Sequence, residues 1–240
     1  MRQSRTFIPT TREVPSSAEA ISHKLLIKAG MVKQVSAGVY TFLPLATKVL
    51  RNIEKIIREE HEKIGASELL MPVLQSEEYW KKSGRWYKMG DELMRVTDRK
   101  GAAYALSPTA EELICQAVNN MITSYKQLPV NLFQFQTKFR DEIRPRLGLL
   151  RTKEFIMKDA YTFDESPEGM RKSYNEYYQA YSNIFDRFGL KYRAVKADSG
   201  NIGGSYTHEF QALAEVGEDT IVYTEESDYA ANIETAAVVE

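Results

Sequence analysis

The chain has 240 residues, 43% of them hydrophobic, with 32 Lys and Arg set against 33 Asp and Glu. This length and apolar content suffice to bury a sizeable core, which excludes a disordered chain. Balanced charge excludes nucleic-acid binding through a globally positive surface, so any polyanion must be met by a local basic patch. Cys115 is the sole cysteine, which excludes an internal disulfide and a multi-cysteine zinc site and fits a reducing cytoplasm; a buried, inert thiol is expected. The N-terminus lacks an apolar signal segment and no later run approaches the roughly 18 apolar residues that span a bilayer, so a soluble cytoplasmic protein is expected.

After an irregular basic arm, "PSSAEAISHKLLIKAGMVKQVSAG" opens with the capping-box spacing of Ser16 and Glu19 and carries apolar residues at helical intervals, so a first helix is expected there. The segment "LATKVLRNIEKIIREEHEKIG" aligns Leu45, Val49, Ile53, Ile56 or Ile57 and Ile64 on one helical stripe, with Gly65 placed to end it. "ASELLMPVLQ" reads as an edge or interface strand because Pro72 interrupts it. His23 and His61 fall in helical surface patterns and need no function.

From Asn131 the period becomes two, with Phe133, Phe135, Thr137 and Phe139 on one face and Gln134, Gln136, Lys138, Arg140 and Glu142 on the other. Pro145 and Gly148 then supply turn residues, so an antiparallel hairpin is expected, returning from Arg151 with Lys153, Phe155, Met157, Asp159, Tyr161 and Phe163 on one face. Between Lys138 and Lys153 the local net charge is +4. Cross-strand pairs on a solvated face are one explanation of this charge. Guanidinium groups beside the flat ring of Phe155 are another, because they suit phosphates and a stacked base, and Arg144 and Arg146 extend toward a longer polyanion. Neither a G-x-x-x-x-G-K-[ST] nor a G-x-G-x-x-G segment occurs, so ATP would have to bind on a sheet. Downstream, "SPEGMRKSYNEYYQAYSNIFDRFG" returns to helical spacing, and its stripe Met170, Tyr174, Tyr177 or Tyr178, Tyr181, Phe185 and Phe188 is expected in the core. The acidic, small-residue-rich tail from Thr224 to Glu240 reads as a linker.

"FRDE", a turn and "RTKEFIMKDAYTF" resemble motif 2 of the class II aminoacyl-tRNA synthetases. The ordered series "FIPTTREVPSSAEAISHKLLIKAG", "ELLMPVL", "SGRW", "SPTAEE", "SYKQLPVNLFQFQTKFRDE", "ADSGNIGGSYTHEF" and "SDYAANIE" is similar to the bacterial-type prolyl-tRNA synthetases along essentially the whole chain. The resemblance implies an α/β (α+β) fold with a mostly antiparallel sheet flanked by helices. Residues 1–223 would form a catalytic core carrying motifs 1 and 2, and 224–240 a linker toward an inserted editing domain.

In that family the first motif-2 arginine, here Arg140, holds the ATP α-phosphate and the amino-acid carboxylate. The resemblance gives Glu142 to the adenine end or to seating the acceptor adenosine, Arg151 to the γ-phosphate and Phe155 to stacking on adenine. Arg144 and Arg146 fall in the loop that approaches the tRNA acceptor stem. Thr109 and Glu111 match the T-x-E loop that binds the proline imino nitrogen, while Thr109 and Glu112 also have the spacing of a helix cap. Arg140, Asp159, Gly204 and His208 join them as expected proline contacts, with Gly203, Gly204 and Ser205 lining the pocket. Pro72 matches the motif-1 proline of a homodimer interface.

The activity implied is two-step joining of proline to its tRNA through prolyl-adenylate, with ATP as substrate, Mg2+ on its phosphates and no dedicated protein metal ligands. Motif 3, a glycine-rich stretch ending in an arginine, does not occur before Glu240, so the chain is expected to be an N-terminal portion with little exchange activity alone. A threonyl- or seryl-specific relative is disfavoured by the missing zinc-ligand spacing. The alternative from another class is a synthetase-like module that binds RNA or a partner without catalysis.

Overall fold

A computed structural model describes residues 2–197, 207–227, 229–233 and 236. The chain divides into two compact units, Met1–Asn175 and Glu176–Glu240.

In the first unit, helix α1 (Ile21–Lys28) leads into the hairpin β1 (Val32–Ser36) and β2 (Val39–Phe42), and helix α2 follows (Pro44–Lys63). The expected capping box does not form, because α1 begins at Ile21 after Ala20 with no side-chain cap. Pro44 opens α2, where its missing N–H costs nothing. Gly65, at φ +73°, ends it as expected: its N–H donates to the Glu62 carbonyl and that of Ala66 to the His61 carbonyl, a left-handed closing turn.

The central sheet orders β3 (Ser67–Glu68), β7 (Val130–Phe139) and β8 (Glu154–Phe163), with β3 parallel and β8 antiparallel to β7. The register pairs Gln134 with Asp159, Gln136 with Met157 and Lys138 with Phe155, so the two period-two faces fall where the alternation puts them. The face carrying Phe133 and Phe135 meets α2. The His61 ring lies 4.8 Å from that of Phe133, Arg58 sits 4.6 Å over Phe135, and Arg58 grips Glu68 at 2.6 and 2.9 Å. A second sheet, β4 (Leu74–Ser76), β6 (Ala103–Leu106) and β5 (Arg95–Thr97), carries the short helices α3 (Glu77–Lys82) and α4 (Arg85–Lys88), whose Trp80 and Trp86 pack with Leu93 and Ala105. Helix α5 (Glu111–Val118) packs Leu113 and Ile114 against Met71.

Several expectations are corrected here. Pro72 lies in the exposed link between β3 and β4 rather than within a strand. Along α2 the buried residues are Ala46, Glu60 and His61, whereas Val49 and Ile53 of the expected stripe are 46% and 37% exposed. His23 and His61 are buried, not surface residues, and Cys115 is exposed rather than buried.

In the second unit the strands run β10 (His208–Ala212), β9 (Tyr192–Lys196), β12 (Ala230–Asn232) and β11 (Ile221–Tyr223). Helix α6 (Pro167–Arg187) contributes Tyr178, Tyr181 and Phe185, whose rings lie 5.0, 5.8 and 5.7 Å from that of Phe210. The aromatic stripe is therefore largely internal, although Met170 and Tyr178 keep substantial exposure. Ala230 and Ala231, in the tail that reads as linker, are buried in a strand. Among the described residues no helix is long and apolar enough to cross a membrane.

Desolvation, reinforced by the charge of Lys158, lowers the His61 pKa to about 4. Above pH 6.5 the imidazole is neutral in both folded and unfolded chains; as pH falls toward 4 the unfolded chain takes the proton first, so stability is lost across that window. The loss is on the order of 3 kcal/mol by pH 4. Urea denaturation of the parent and of His61→Gln between pH 7 and pH 4 is expected to show a shallower decline in the variant.

Candidate active site

The backbone assembles the site first. Ser107, leaving β6, donates its N–H to the Val73 carbonyl, and its own carbonyl accepts from the N–H of Phe139 at the end of β7, both at 2.9 Å. This lays the Ser107–Glu112 loop along the sheet edge just before Arg140. Gln75 secures it from below: its Nε2 donates to Ser107 Oγ at 2.9 Å and to the Thr109 carbonyl at 3.0 Å, while the Trp80 indole donates to Gln75 Oε1 at 2.8 Å. The Thr109 hydroxyl is shared between the Glu111 carboxylate oxygens at 2.7 and 2.6 Å. Helix α5 starts behind Ala110 without a side-chain cap, so the capping alternative for Thr109 is not taken up. Arg140 Nη2 reaches the Pro108 carbonyl at 3.4 Å, and its guanidinium stands 5.4 Å over the Phe155 ring.

Beneath these groups runs a buried polar network. Lys138, fully buried, lies 3.2 Å from Asp159 Oδ1 and donates to Gln136 Oε1 at 2.8 Å. Gln134 Nε2 and the Tyr161 hydroxyl donate to Asp159 Oδ2 at 2.8 and 2.6 Å. The two glutamines also bind the backbone of Met71, Gln134 Oε1 accepting its N–H at 3.0 Å and Gln136 Nε2 donating to its carbonyl. Burial lowers the Lys138 pKa and the charge of Asp159 opposes that fall. Burial, then the hydrogen bond to Asp159, raises that of Tyr161. Asp159 is thus built into the floor, held by Lys138, Gln134 and Tyr161.

The rim differs in kind. Arg151 Nε pairs with Glu142 Oε2 at 2.8 Å, and this bond is the main cause that holds the Glu142 carboxyl below its ordinary range. Arg151 lies outside β8, in an isolated bridge to Arg146, so the return strand starts at Glu154 rather than at Arg151. Arg144 and Arg146 are exposed on the turn. The base of the turn is clamped: Lys153 N–H donates to the Gly38 carbonyl at 2.8 Å, a Cβ on Gly38 would meet Pro145 at 2.8 Å, and one on Gly148 would meet His23 at 2.8 Å. His23 itself stands edge-on to Tyr40, ring centroids 5.6 Å apart.

Thr109, Glu111, Arg140, Glu142, Arg151, Phe155 and Asp159 all belong to the first unit. His208 belongs to the second, on β10, with its ring 5.4 Å from Tyr178 and its pKa lowered by burial and then by Lys196. Gly203, Gly204 and Ser205 lie outside the described residues. A groove of about 590 Å³ on the second unit, lined by Tyr192, Arg193 and Tyr223 among others, includes none of the expected site residues. The residues that spacing did not single out are Arg85, Gln75, Lys138 and Tyr161. Lys138 was visible as part of an alternating polar face, whereas Arg85 and Gln75 reach the loop only through tertiary contacts.

An antiparallel-rich sheet, a T-x-E loop and an arginine beside a ring together describe a class II synthetase core, and comparison with known proteins bears this out. The family described as tRNA synthetase class II core domain (G, H, P, S and T) matches residues 93–238, and the chain belongs to it. The chain is 61% identical over 239 residues to a proline–tRNA ligase of Staphylococcus epidermidis and 60% identical to one of Staphylococcus aureus, covering all of itself and 42% of each relative. It therefore spans well under half the length of these curated relatives. Among solved structures, the prolyl-tRNA synthetase of Giardia lamblia in complex with prolyl-adenylate aligns with a TM-score of 0.67 at 24% identity, covering 72% of this chain and 36% of that one. The Cryptosporidium parvum prolyl-tRNA synthetase complexed with L-proline and AMP aligns with a TM-score of 0.68 at 17% identity, covering 79% and 40%. At those identities the structural likeness speaks for the fold.

Two stability predictions follow from the geometry. Lys138→Met strands the Asp159 carboxylate in the floor and is expected to cost about 3–5 kcal/mol in urea denaturation. Gly148→Ala forces a side chain into a left-handed turn, φ +67°, against His23; a loss of at least ~1–2 kcal/mol from the backbone alone is expected in the same measurement.

Proposed function

We propose that this chain supplies the amino-acid and ATP site of a proline–tRNA ligase. The observation that carries the reading is that the Thr109 hydroxyl is bonded to the Glu111 carboxylate while the Arg140 guanidinium reaches the carbonyl of the adjoining Pro108. A carboxylate with a hydroxyl can accept a secondary ammonium, and a guanidinium one loop away can take the carboxylate of the same zwitterion.

Proline carboxylate then attacks the ATP α-phosphate, and prolyl-adenylate and pyrophosphate result. Arg140 holds both reacting anions and stabilises the charge that develops between them. Phe155 offers its ring to the adenine, with Arg140 over it. Arg151, paired with Glu142 in this structure, exchanges that partner for the γ-phosphate, which leaves Glu142 for the adenine end. Mg2+ bound to the ATP phosphates would supply charge neutralisation there. The prolyl group passes to the terminal ribose of the tRNA, whose acceptor stem meets Arg144 and Arg146 on the exposed turn. By the family's pattern, His208 and Gly204 are further contacts for proline.

The exposed apolar residues Leu70, Leu74, Val49 and Ile53, together with exposed Pro72, support a homodimer through this region. A solitary thiol and a role in translation support a cytoplasmic location.

The test is amino-acid-dependent pyrophosphate exchange by a chimera in which this chain replaces the matching part of the S. epidermidis ligase. Exchange is expected with proline above alanine, threonine and serine, and Arg140→Ala is expected to lower kcat by about 10²–10³-fold. Exchange with none of the four by the parent chimera would favour a non-catalytic binding module.

A further inference from the structure

Arg85 begins α4 directly after Gly84, which turns the chain with φ +75°. Its guanidinium rests 5.2 Å over the fully buried Trp80 ring. A single terminal nitrogen, Nη1, donates to Glu111 Oε2 at 3.0 Å and to Glu112 Oε1 and Oε2 at 3.0 and 3.1 Å. Ser83 Oγ adds a 2.8 Å bond to Glu112 Oε1. The two carboxylates are therefore unequal. Glu112, with 4% side-chain exposure, is held by Arg85 and Ser83, whereas Glu111 keeps 32% and is bonded by Arg85 and Thr109.

Charge sharpens the asymmetry. Within this trio, two carboxylates against one guanidinium leave one net negative charge on the side of the accessible Glu111, since Lys138, the buried cation that also acts on it, is paired with Asp159; one ligand ammonium restores neutrality there. The platform is rigid as well, because the Trp80 ring under Arg85 is hydrogen-bonded to the same Gln75 that holds the Thr109 carbonyl. Arg85 and the T-x-E loop are thus set by one buried framework rather than by independent side chains.

We propose that Arg85 is a positioning residue for the amino-acid site. It holds the Glu111 carboxylate in one orientation against Thr109, and with Glu112 as counterweight it leaves that carboxylate to receive a single monocationic ammonium. This rests on Glu111 being the ammonium acceptor, as proposed above. Arg85 acts through Glu111 and does not itself touch the amino acid.

The experiment is proline-dependent pyrophosphate exchange in the same chimeric ligase, with KM for proline and for ATP measured separately, in Arg85→Met, Arg85→Lys, Glu111→Gln and the Arg85→Met/Glu111→Gln pair. Arg85→Met is expected to raise KM for proline about tenfold or more, the scale of one lost charge-assisted contact, with KM for ATP within about twofold. Arg85→Lys, which keeps the charge but not the planar group over Trp80, is expected to fall between. The double variant is expected to be no worse for proline than Glu111→Gln alone, because the two residues act in series. A proline KM unchanged in both Arg85 variants while Glu111→Gln raises it overturns the inference and leaves the site reading standing. Additive effects in the double variant, or proline and ATP KM rising together with a lowered Tm, mean a structural role and overturn it as well. An unchanged proline KM in Glu111→Gln overturns the site reading, and the inference with it. If Arg85→Met does not fold, Arg85→Lys decides by the same proline-to-ATP comparison.

Discussion

Lys138 and Asp159 face each other across two antiparallel strands in a floor closed to water. An ion pair so placed loses the hydration of both charges, and only good geometry with further hydrogen bonds offsets that cost. Here those bonds come from Gln134, Gln136 and Tyr161, and the glutamines are themselves anchored on the backbone of Met71. The pair therefore cannot be kept unless strand register, the β3–β4 link and the floor of the site are all in place together.

Above this floor the chemistry separates into a dry part and a wet part. Thr109 and Arg140 are held at the sheet edge by backbone bonds and by Gln75, where low exposure strengthens their attraction for a small zwitterion. Glu142, Arg151, Arg144 and Arg146 sit on or beside a solvated turn, where ion pairs are weak and exchange partners readily. A turn of that kind suits phosphates that come and go, provided its base is fixed. The fixing is done from the N-terminal side, by Gly38 against Pro145 and His23 against Gly148.

The hairpin was open to reading from the alternation alone because a strand has an exact period of two, and one buried face forces a register. The observed pairing of Gln134 with Asp159 and Lys138 with Phe155 follows from it. Helices were less open. On α2 the spacing expects a face of Leu45, Val49 and Ile53, yet Val49 and Ile53 remain exposed while His61 and Glu60 are buried. A helical pattern states which residues share a face; it does not state which surface that face will meet. The same reason explains Cys115, a residue type usually buried, which lies on the outer side of a short helix.

Local chemistry along the chain was enough to settle the strand–turn–strand with its charged rim, the end of α2 at Gly65 and the wording that marks the family. These depend on neighbours a few residues apart, for which backbone sterics and periodicity are sufficient. The folded arrangement alone decided that the polar face of β7 is a buried network rather than a solvated surface, and that Glu142 and Arg151 hold each other. It also decided that Arg85, 26 residues before Glu111, is the cation that orients it. Each of these joins side chains from separate elements, and burial and charge pairing between such elements exist only once the sheets and helices have packed.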